Sequence, residues 1–411
     1  MIPGLLRRNA NFRRFFIGQS VSLVGDQISG IALPLTAVLA LHASPGQMGA
    51  VTTVYLVPNL LFSLHLGVWL DRRGRRRQAM LVTDVARGLI TAVIPIAYAF
   101  GDLTWTLLYV VAFLLGSLTV VFYVAYGSVF QAVVDREDYV EANAISNGTR
   151  GASFLLGNSL GGALVQLLRG PYALGVDAVS YLWSALFLGR MDVEEPPAAT
   201  RESGGVLSGL QWIRDNAVIR AELLGVATLN LFNFMYFALV MLYLTRALHL
   251  KPGTIGLVFG IAAIGTLASS MLTGRMSRRF GIGPAFIAGC FLFPAPLILV
   301  PAAGGPRWLV LTMLFTAELI SGAGLMMLDI FAGVISAAVV PPEMRARVSG
   351  GFMVVNYGVR PLGTTLGGVL GTAIGVHTTL WIATVGSVAG VLWLLPSPIR
   401  TIREVPDQAT A

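Results

Sequence analysis

The chain has 411 residues, of which 55% are hydrophobic and 12% charged, and its mean hydropathy is +0.75. Because soluble proteins carry about 25% charged residues, this composition excludes an ordinary soluble protein and predicts an all-α membrane protein. The net charge of +8 comes from arginines scattered between apolar runs, unlike the clustered basic surface of a nucleic-acid-binding protein. One cysteine and four histidines without ligand spacing predict neither a metal site nor a disulfide framework.

Twelve apolar segments are long enough to cross a bilayer, since a spanning helix needs roughly 20 mostly apolar residues. The connections between them are mostly short, so consecutive spans are predicted to be antiparallel. In chain order the spans cover approximately residues 15–41, 48–70, 78–100, 104–133, 140–168, 171–190, 218–247, 253–274, 283–303, 307–340, 346–375 and 377–396.

The distribution of basic residues orients these spans, because Lys and Arg accumulate in cytoplasmic loops. With both termini in the cytoplasm, 21 of the 28 basic residues fall in cytoplasmic segments, four on the opposite side and three within spans. The inverted orientation would violate the rule. The sequence therefore predicts cytoplasmic termini.

A polar stretch between the sixth and seventh spans divides the chain. The predicted organisation is an N-terminal six-helix half at 1–190, a cytoplasmic linker at 191–217 and a C-terminal six-helix half at 218–411. An internal repeat at an offset of 206 residues supports a duplication, since GNSLGG at 157–162 aligns with GTTLGG at 363–368. Many secondary transporters consist of two such repeats.

The loop after the second span carries a specific motif. Residues 67–76 read GVWLDRRGRR, which resembles the signature of the major facilitator superfamily between its second and third helices. VDAVSYL at 176–182, GLQWI at 209–213 and RPLG at 360–363 are similar to the branch containing macrolide-efflux proteins and the enterobactin exporter. The resemblance implies a twelve-helix fold of two pseudo-symmetric halves in a bacterial cell membrane. It assigns a gating motif to Gly67, Asp71, Arg72, Gly74 and Arg75.

Two departures from the family pattern limit what the resemblance implies about coupling. Span four contains no Arg, although many proton-coupled drug exporters of the superfamily carry one there. The antiporter motif of span five normally has a proline where this chain has Asn158. Coupling through a span-four arginine is therefore not predicted.

Ionisable residues within spans are informative because each costs about 2.5–3.5 kcal/mol at a helix centre. Asp84 and Arg87 are three residues apart on span three, so they share a helix face and are predicted to form a structural ion pair. Arg150 and Asp177, on adjacent spans five and six at similar depth, are predicted to form a second pair.

Three carboxyl groups remain as proton-coupling candidates. Asp26 lies near the middle of span one, while Glu318 and Asp329 are 11 residues apart on span ten, which places them on one helix face. The resemblance implies that the first, fourth, seventh and tenth helices line a central cavity. A carboxyl group in a partly desolvated cavity favours its neutral form and can exchange a proton. The alternative for each is a buried acid hydrogen-bonded to a neighbouring helix.

Spans four and seven carry aromatic and polar residues suited to a substrate cavity, and Arg360 lies on span eleven. A mostly apolar wall with a few polar groups suits an amphiphilic organic ligand. The substrate-cavity candidates are Tyr123, Tyr126, Asn230, Asn233, Tyr236 and Arg360.

The predicted function is a secondary active transporter, not an enzyme, that exports small amphiphiles of the drug, antibiotic or siderophore type by proton antiport. No Walker-type phosphate loop is present, which argues against an ATP-driven pump, and no cofactor is predicted beyond the proton gradient. The predicted partners are the bilayer, the substrate and protons, with a monomer as the unit. The alternatives are an importer, an uncoupled facilitator, or a non-transporting membrane sensor on the same fold.

The predicted topology can be tested by thiol labelling in a variant that lacks Cys290. In intact cells, a membrane-impermeant thiol reagent should label a cysteine introduced as Lys251→Cys but not one introduced as Arg201→Cys. Permeabilised cells provide the control for reactivity at both positions. Labelling of the cysteine at position 201 from outside intact cells would reverse the orientation.

Overall fold

The computed structural model describes residues 4–193 and 206–403, except for the side chains of residues 64, 65, 67–69, 71–73 and 206. Within these ranges the regular structure is helical and contains no strand. The α-helices are α1 (Gly4–Arg8), α2 (Ala10–Leu39), α3 (Pro45–Arg73), α4 (Arg76–Phe100), α5 (Trp105–Val133), α6 (Tyr139–Leu168), α7 (Gly170–Gly189), α8 (Val206–Asp215), α9 (Ala217–Arg246), α10 (Pro252–Phe280), α11 (Ile282–Leu292), α12 (Arg307–Val339), α13 (Arg345–Ala373) and α14 (Val376–Ala389).

Each of the twelve predicted spans coincides with one of these helices. Short 3-10 turns continue α11 and α14, and with them ten of the described helices are long and apolar enough to cross a membrane. The other two are α3 and α13, each 29 residues long. The prediction of an all-α membrane fold is therefore confirmed. The short helices α1 and α8 were not predicted, because neither is long enough to span a bilayer.

The turn between α4 and α5 shows how the sequence ends one span and starts the next. Gly101 adopts a left-handed conformation with φ of 80° and closes α4, as glycine commonly does at helix C-termini. Thr104 then caps α5, because its side-chain oxygen accepts a hydrogen bond from the Leu107 N–H at 3.3 Å. A reversal of chain direction thus needs only a few residues.

The described residues pack into two compact units. Those of unit 1 fall within 1–44, 54–201 and 244–260, and those of unit 2 fall within 45–53, 202–243 and 261–411. In unit 1, α2 packs against α6 and α7, and α4 packs against α5 and α7. In unit 2, α11 packs against α12, and α8 packs against α13. The division into halves at 1–190 and 218–411 with a linker at 191–217 stays a prediction, and residues 194–205 of that linker lie outside the described ranges.

Glycines of the duplicated motif bring α6 against α2 in unit 1. A Cβ atom added to Gly157 would lie 2.5 Å from the Gln27 Cβ and 2.8 Å from the Val24 carbonyl oxygen. One added to Gly161 would lie 3.0 Å from the Ile28 Cα. Small residues at such crossings let helix backbones approach closely.

The second copy of the motif makes the equivalent contact in unit 2. A Cβ atom on Gly363 would overlap the Leu231 carbonyl group of α9, and one on Gly367 would lie 2.8 Å from the Met235 carbonyl oxygen. The two α13 glycines follow Gly157 and Gly161 at the predicted offset of 206 residues. The repeat in sequence is therefore a repeat of one helix-packing geometry.

The glycine contact predicts opposite effects for two substitutions in the same helix. Gly157→Ala should lower the thermal unfolding midpoint in detergent, since overpacking costs about 1–3 kcal/mol. Gly148→Ala, also in α6, should leave the midpoint unchanged or raise it, because no atom lies within 4 Å of its added Cβ and alanine favours the helix by up to about 1 kcal/mol. Equal midpoints for the two variants would contradict the proposed close packing.

Candidate functional site

A buried charged network in unit 1 is centred on Arg87 of α4. The Arg87 side chain is 1% exposed and forms an ion pair with Asp84 of the same helix, as the spacing of three residues predicts. Its other terminal nitrogen lies 4.0 Å from a carboxylate oxygen of Asp26 in α2. One guanidinium group therefore attracts carboxylates from two helices.

Aromatic rings complete the surroundings of this guanidinium group. Its central carbon lies 4.1 Å from the ring centroid of Phe122 in α5 and 4.3 Å from that of Tyr181 in α7, within the range of cation–π attraction. The Tyr181 hydroxyl donates a 2.6 Å hydrogen bond to Asp26. Asp26 is also the exposed end of the network, with 25% of its side chain accessible. It is therefore the carboxyl group best placed to exchange protons with water.

Asp177 has partners other than the one predicted. It accepts hydrogen bonds from the Ser29 hydroxyl of α2 and from the Ser180 hydroxyl of its own helix. Arg150 is exposed, and its guanidinium lies 5.6 Å from the ring centroid of Tyr126. The predicted Arg150–Asp177 ion pair is therefore wrong, because the two helices direct these side chains to different neighbours.

Arg360 of α13 is the centre of a polar cluster in unit 2. Its guanidinium carbon lies 5.1 Å from the ring centroid of Phe234 in α9 and 4.9 Å from that of Tyr357. Its Nε donates a 3.3 Å hydrogen bond to the Asn356 side-chain oxygen, which also accepts a 2.9 Å hydrogen bond from Asn230. The predicted cavity candidates Asn230 and Arg360 thus belong to one cluster, joined through Asn356.

The two acids of α12 differ in burial. Glu318 is 8% exposed and has neither a hydrogen bond nor an ion pair within the described part of the chain. Tyr236 of α9 is buried, its hydroxyl has no hydrogen-bond partner there, and it is close enough to Glu318 for electrostatic interaction. Asp329 is exposed and attracts Arg360 electrostatically. Glu318 and Asp329 therefore have different surroundings despite their shared helix.

The remaining cavity candidates lie in both units. Tyr126 stacks on Phe130 at a centroid distance of 6.4 Å, whereas Tyr123 is exposed over half of its surface. Asn233 of α9 is buried. Their assignment to a substrate cavity stays a prediction.

The gating motif is only partly described. Gly67, Asp71 and Arg72 belong to α3, and the side chains of Asp71 and Arg72 lie outside the described part of the structure. Gly74 adopts a left-handed conformation with φ of 63° between α3 and α4, and the side chain of Arg75 is exposed. The gating role of the motif stays a prediction.

Sequence reasoning overlooked three residues of interest. Asn356 and Tyr357 hold Arg360, and the signal was their position one turn before it on the same helix. Glu222 of α9 is buried, and one of its carboxyl oxygens has no hydrogen-bond partner in the described ranges. It lies inside the predicted seventh span, but close to its end, where an acid is less unusual than at the centre.

Comparison with known proteins places the chain in a family. The family model of the Major Facilitator Superfamily matches residues 15–225 and 223–410. The multidrug efflux pump Tap of Mycobacterium tuberculosis is 26% identical over 398 residues, covering 90% of each chain. The enterobactin exporter EntS of Citrobacter koseri is 23% identical over 279 residues, covering 67% of this chain and 65% of that one.

Solved structures share the fold at low sequence identity. A bacterial homologue of the iron transporter ferroportin superposes with a TM-score of 0.76 at 17% identity, covering 96% of this chain and 99% of that one. The nucleoside transporter NupG superposes with a TM-score of 0.69 at 14% identity, covering 94% and 98%. Similarity at this level supports the architecture and says nothing about the substrate.

The buried ion pair of unit 1 predicts a large effect on stability. Asp84→Asn should lower the thermal unfolding midpoint, since removing one partner of a buried pair costs about 3–5 kcal/mol. Asp102→Asn, at an exposed position after α4, is the matched control and should have no effect. Adding Arg87→Met to Asp84→Asn should recover part of the loss. A double variant less stable than Asp84→Asn alone would contradict the prediction, because it would show that Arg87 is not an unpaired buried charge once Asp84 is removed.

Proposed function

The chain belongs to the Major Facilitator Superfamily, a family of transporters, and on that premise we propose that it exports small amphiphilic compounds of the drug, antibiotic or siderophore type. Export proceeds by alternating access in exchange for protons, across a bacterial cell membrane. Both termini are cytoplasmic and the monomer is the working unit. The similarity to named efflux proteins over most of the chain supports the direction of transport.

The observation that carries proton coupling is the isolation of Glu318. Glu318 is 8% exposed and has no counter-ion among the described residues, and the Tyr236 hydroxyl within its electrostatic range has no hydrogen-bond partner there. An ionised carboxylate without a partner is costly in an apolar environment, and proton uptake removes that cost. A cycle in which proton and substrate exclude one another would use this group as a switch.

Asp26 is the second coupling candidate because its surroundings are different. It is ionically linked to Arg87 and hydrogen-bonded by Tyr181, so both partners stabilise its charged form. Protonation of Asp26 would remove its negative charge and leave Asp84 as the one charged partner of Arg87 among the described residues. A coupling role here would therefore act through a rearrangement of the network in unit 1.

The energy available for export is sufficient. Each proton moving inward with the membrane potential contributes about 2.3 kcal/mol per 100 mV, and about 1.4 kcal/mol corresponds to a tenfold concentration ratio. One proton per substrate molecule can therefore sustain a concentration gradient of more than tenfold for a substrate that is neutral or negatively charged.

The proposed function predicts proton-driven accumulation in inverted membrane vesicles. Vesicles containing the protein should concentrate members of a panel of macrolides, cationic dyes and siderophores when the lumen is acidified, and a protonophore should abolish this. Vesicles from cells without the protein are the control. Accumulation that survives the protonophore would indicate an uncoupled facilitator, and release from the lumen under the gradient would indicate an importer.

Glu318→Gln should separate coupling from binding. The neutral amide imitates a permanently protonated group, so accumulation should be lost while substrate still equilibrates across the membrane. Glu343→Gln, an exposed acid in the loop after α12, is the matched control and should behave like the parent. If Glu318→Gln accumulates substrate as well as the parent does and Asp26→Asn does not, the coupling site is Asp26.

A further inference from the structure

We propose that Arg360 is the binding site for a carboxylate group on the substrate. The inference rests on the proposed function and narrows it, because it selects amphiphilic anions from the broader class of amphiphiles. The carboxylate would accept hydrogen bonds from the terminal nitrogens of the guanidinium group, with the aromatic rings beside it contacting apolar atoms of the ligand.

Arg360 uses one of its three guanidinium nitrogens in a hydrogen bond to a described residue. Nε donates to the Asn356 oxygen, and within the described ranges neither Nη1 nor Nη2 has an acceptor. The guanidinium group is fixed in orientation, because Asn230 holds the same Asn356 oxygen from a second helix. A guanidinium group presents its donors as a planar fork that matches a carboxylate with two parallel hydrogen bonds.

Arg87 shows how protein carboxylates can occupy the surroundings of such a guanidinium group. Both arginines lie against one phenylalanine ring and one tyrosine ring, at centroid distances of 4.1 to 5.1 Å. Around Arg87, the Asp84 carboxylate accepts a hydrogen bond from one terminal nitrogen, the Asp26 carboxylate lies 4.0 Å from the other, and Nε has no hydrogen-bond partner among the described residues. Around Arg360, the only described acceptor is an amide oxygen. The position taken by a protein carboxylate in unit 1 is therefore open to a ligand carboxylate in unit 2.

Helix packing holds the cluster in place. Gly363, less than one turn after Arg360, allows α13 to approach the Leu231 carbonyl of α9. This contact places the Arg360 side chain beside Asn230 and Phe234 of α9. Arg360 remains half-buried, so its terminal nitrogens are partly shielded from water, which strengthens a charged hydrogen bond.

Asp329 is the competing negative charge. It attracts Arg360, but it forms no ion pair with Arg360 within the 4.0 Å that defines one. Because it is exposed, it can move without breaking a buried contact. The negative charge of Asp329 should weaken binding of an anionic ligand, but Asp329 does not occupy the place of the ligand carboxylate at Arg360.

Equilibrium binding to the full-length protein in nanodiscs of zwitterionic lipid tests the proposal without any gradient. The probes are dansylglycine and dansylglycinamide, which differ chiefly in the carboxylate. The parent should bind the acid roughly tenfold more tightly than the amide, as expected for charge-assisted hydrogen bonds. Arg360→Gln should abolish this preference, Arg360→Lys should keep part of it, and Asp329→Asn should increase it.

Arg307→Gln is the matched control, since Arg307 is exposed at the start of α12, and it should bind like the parent. Thermal unfolding midpoints show whether each variant is folded. The proposal is overturned if the parent binds both probes equally, if it binds neither, or if folded Arg360→Gln keeps the preference. Failure of the proposed function is a separate result, because it is a loss of gradient-driven accumulation, whereas this experiment measures binding at equilibrium.

Discussion

A guanidinium group inside an apolar helix bundle needs oxygen acceptors at its edge and tolerates aromatic rings on its faces, and this constraint determines how unit 1 is assembled. Arg87 is almost fully buried, so an unpaired charge there would cost several kcal/mol. Its partners come from α2, α4, α5 and α7. These helices must therefore pack around one point, and the exposed end of the network, Asp26, is held there by the same contacts.

The duplicated glycine motif supplies the second constraint, and it acts on the backbone. Gly157 and Gly363 occupy equivalent positions in the repeat, and each lies against the first span of its predicted half, α2 or α9. The repeat therefore preserved a helix crossing while the charged residues diverged. Arg87 of α4 and Arg360 of α13 do not occupy equivalent positions under the offset of 206 residues. Their similar surroundings are a common solution to a common physical problem.

Local sequence patterns predicted the helices and the contacts within one helix. They failed for contacts between helices, which depend on how each helix is rotated about its axis. Apolar length gave the twelve helices, and the spacing of three residues gave the Asp84–Arg87 pair. Asp177 could reach several helices, and matched depth alone did not distinguish Arg150 from the hydroxyls of Ser29 and Ser180. The hydrogen bond from Asn230 to Asn356 could not be predicted either. It joins residues 126 positions apart, and a local sequence pattern does not specify how their two helices are rotated relative to each other.

The two arginines differ in whether their free donors are open to solvent. The Arg87 guanidinium group pairs with Asp84 and lies beside Asp26, and its Nε, which has no hydrogen-bond partner among the described residues, is buried away from solvent. Arg360 keeps two terminal nitrogens without an acceptor among the described residues, but its side chain is only half-buried, so water can satisfy these donors until a ligand replaces it. In the proposed transport cycle, ligand specificity would depend on Arg360 in unit 2, and proton coupling on Glu318 in unit 2 or on Asp26 in unit 1, so the two properties are assigned to different side chains.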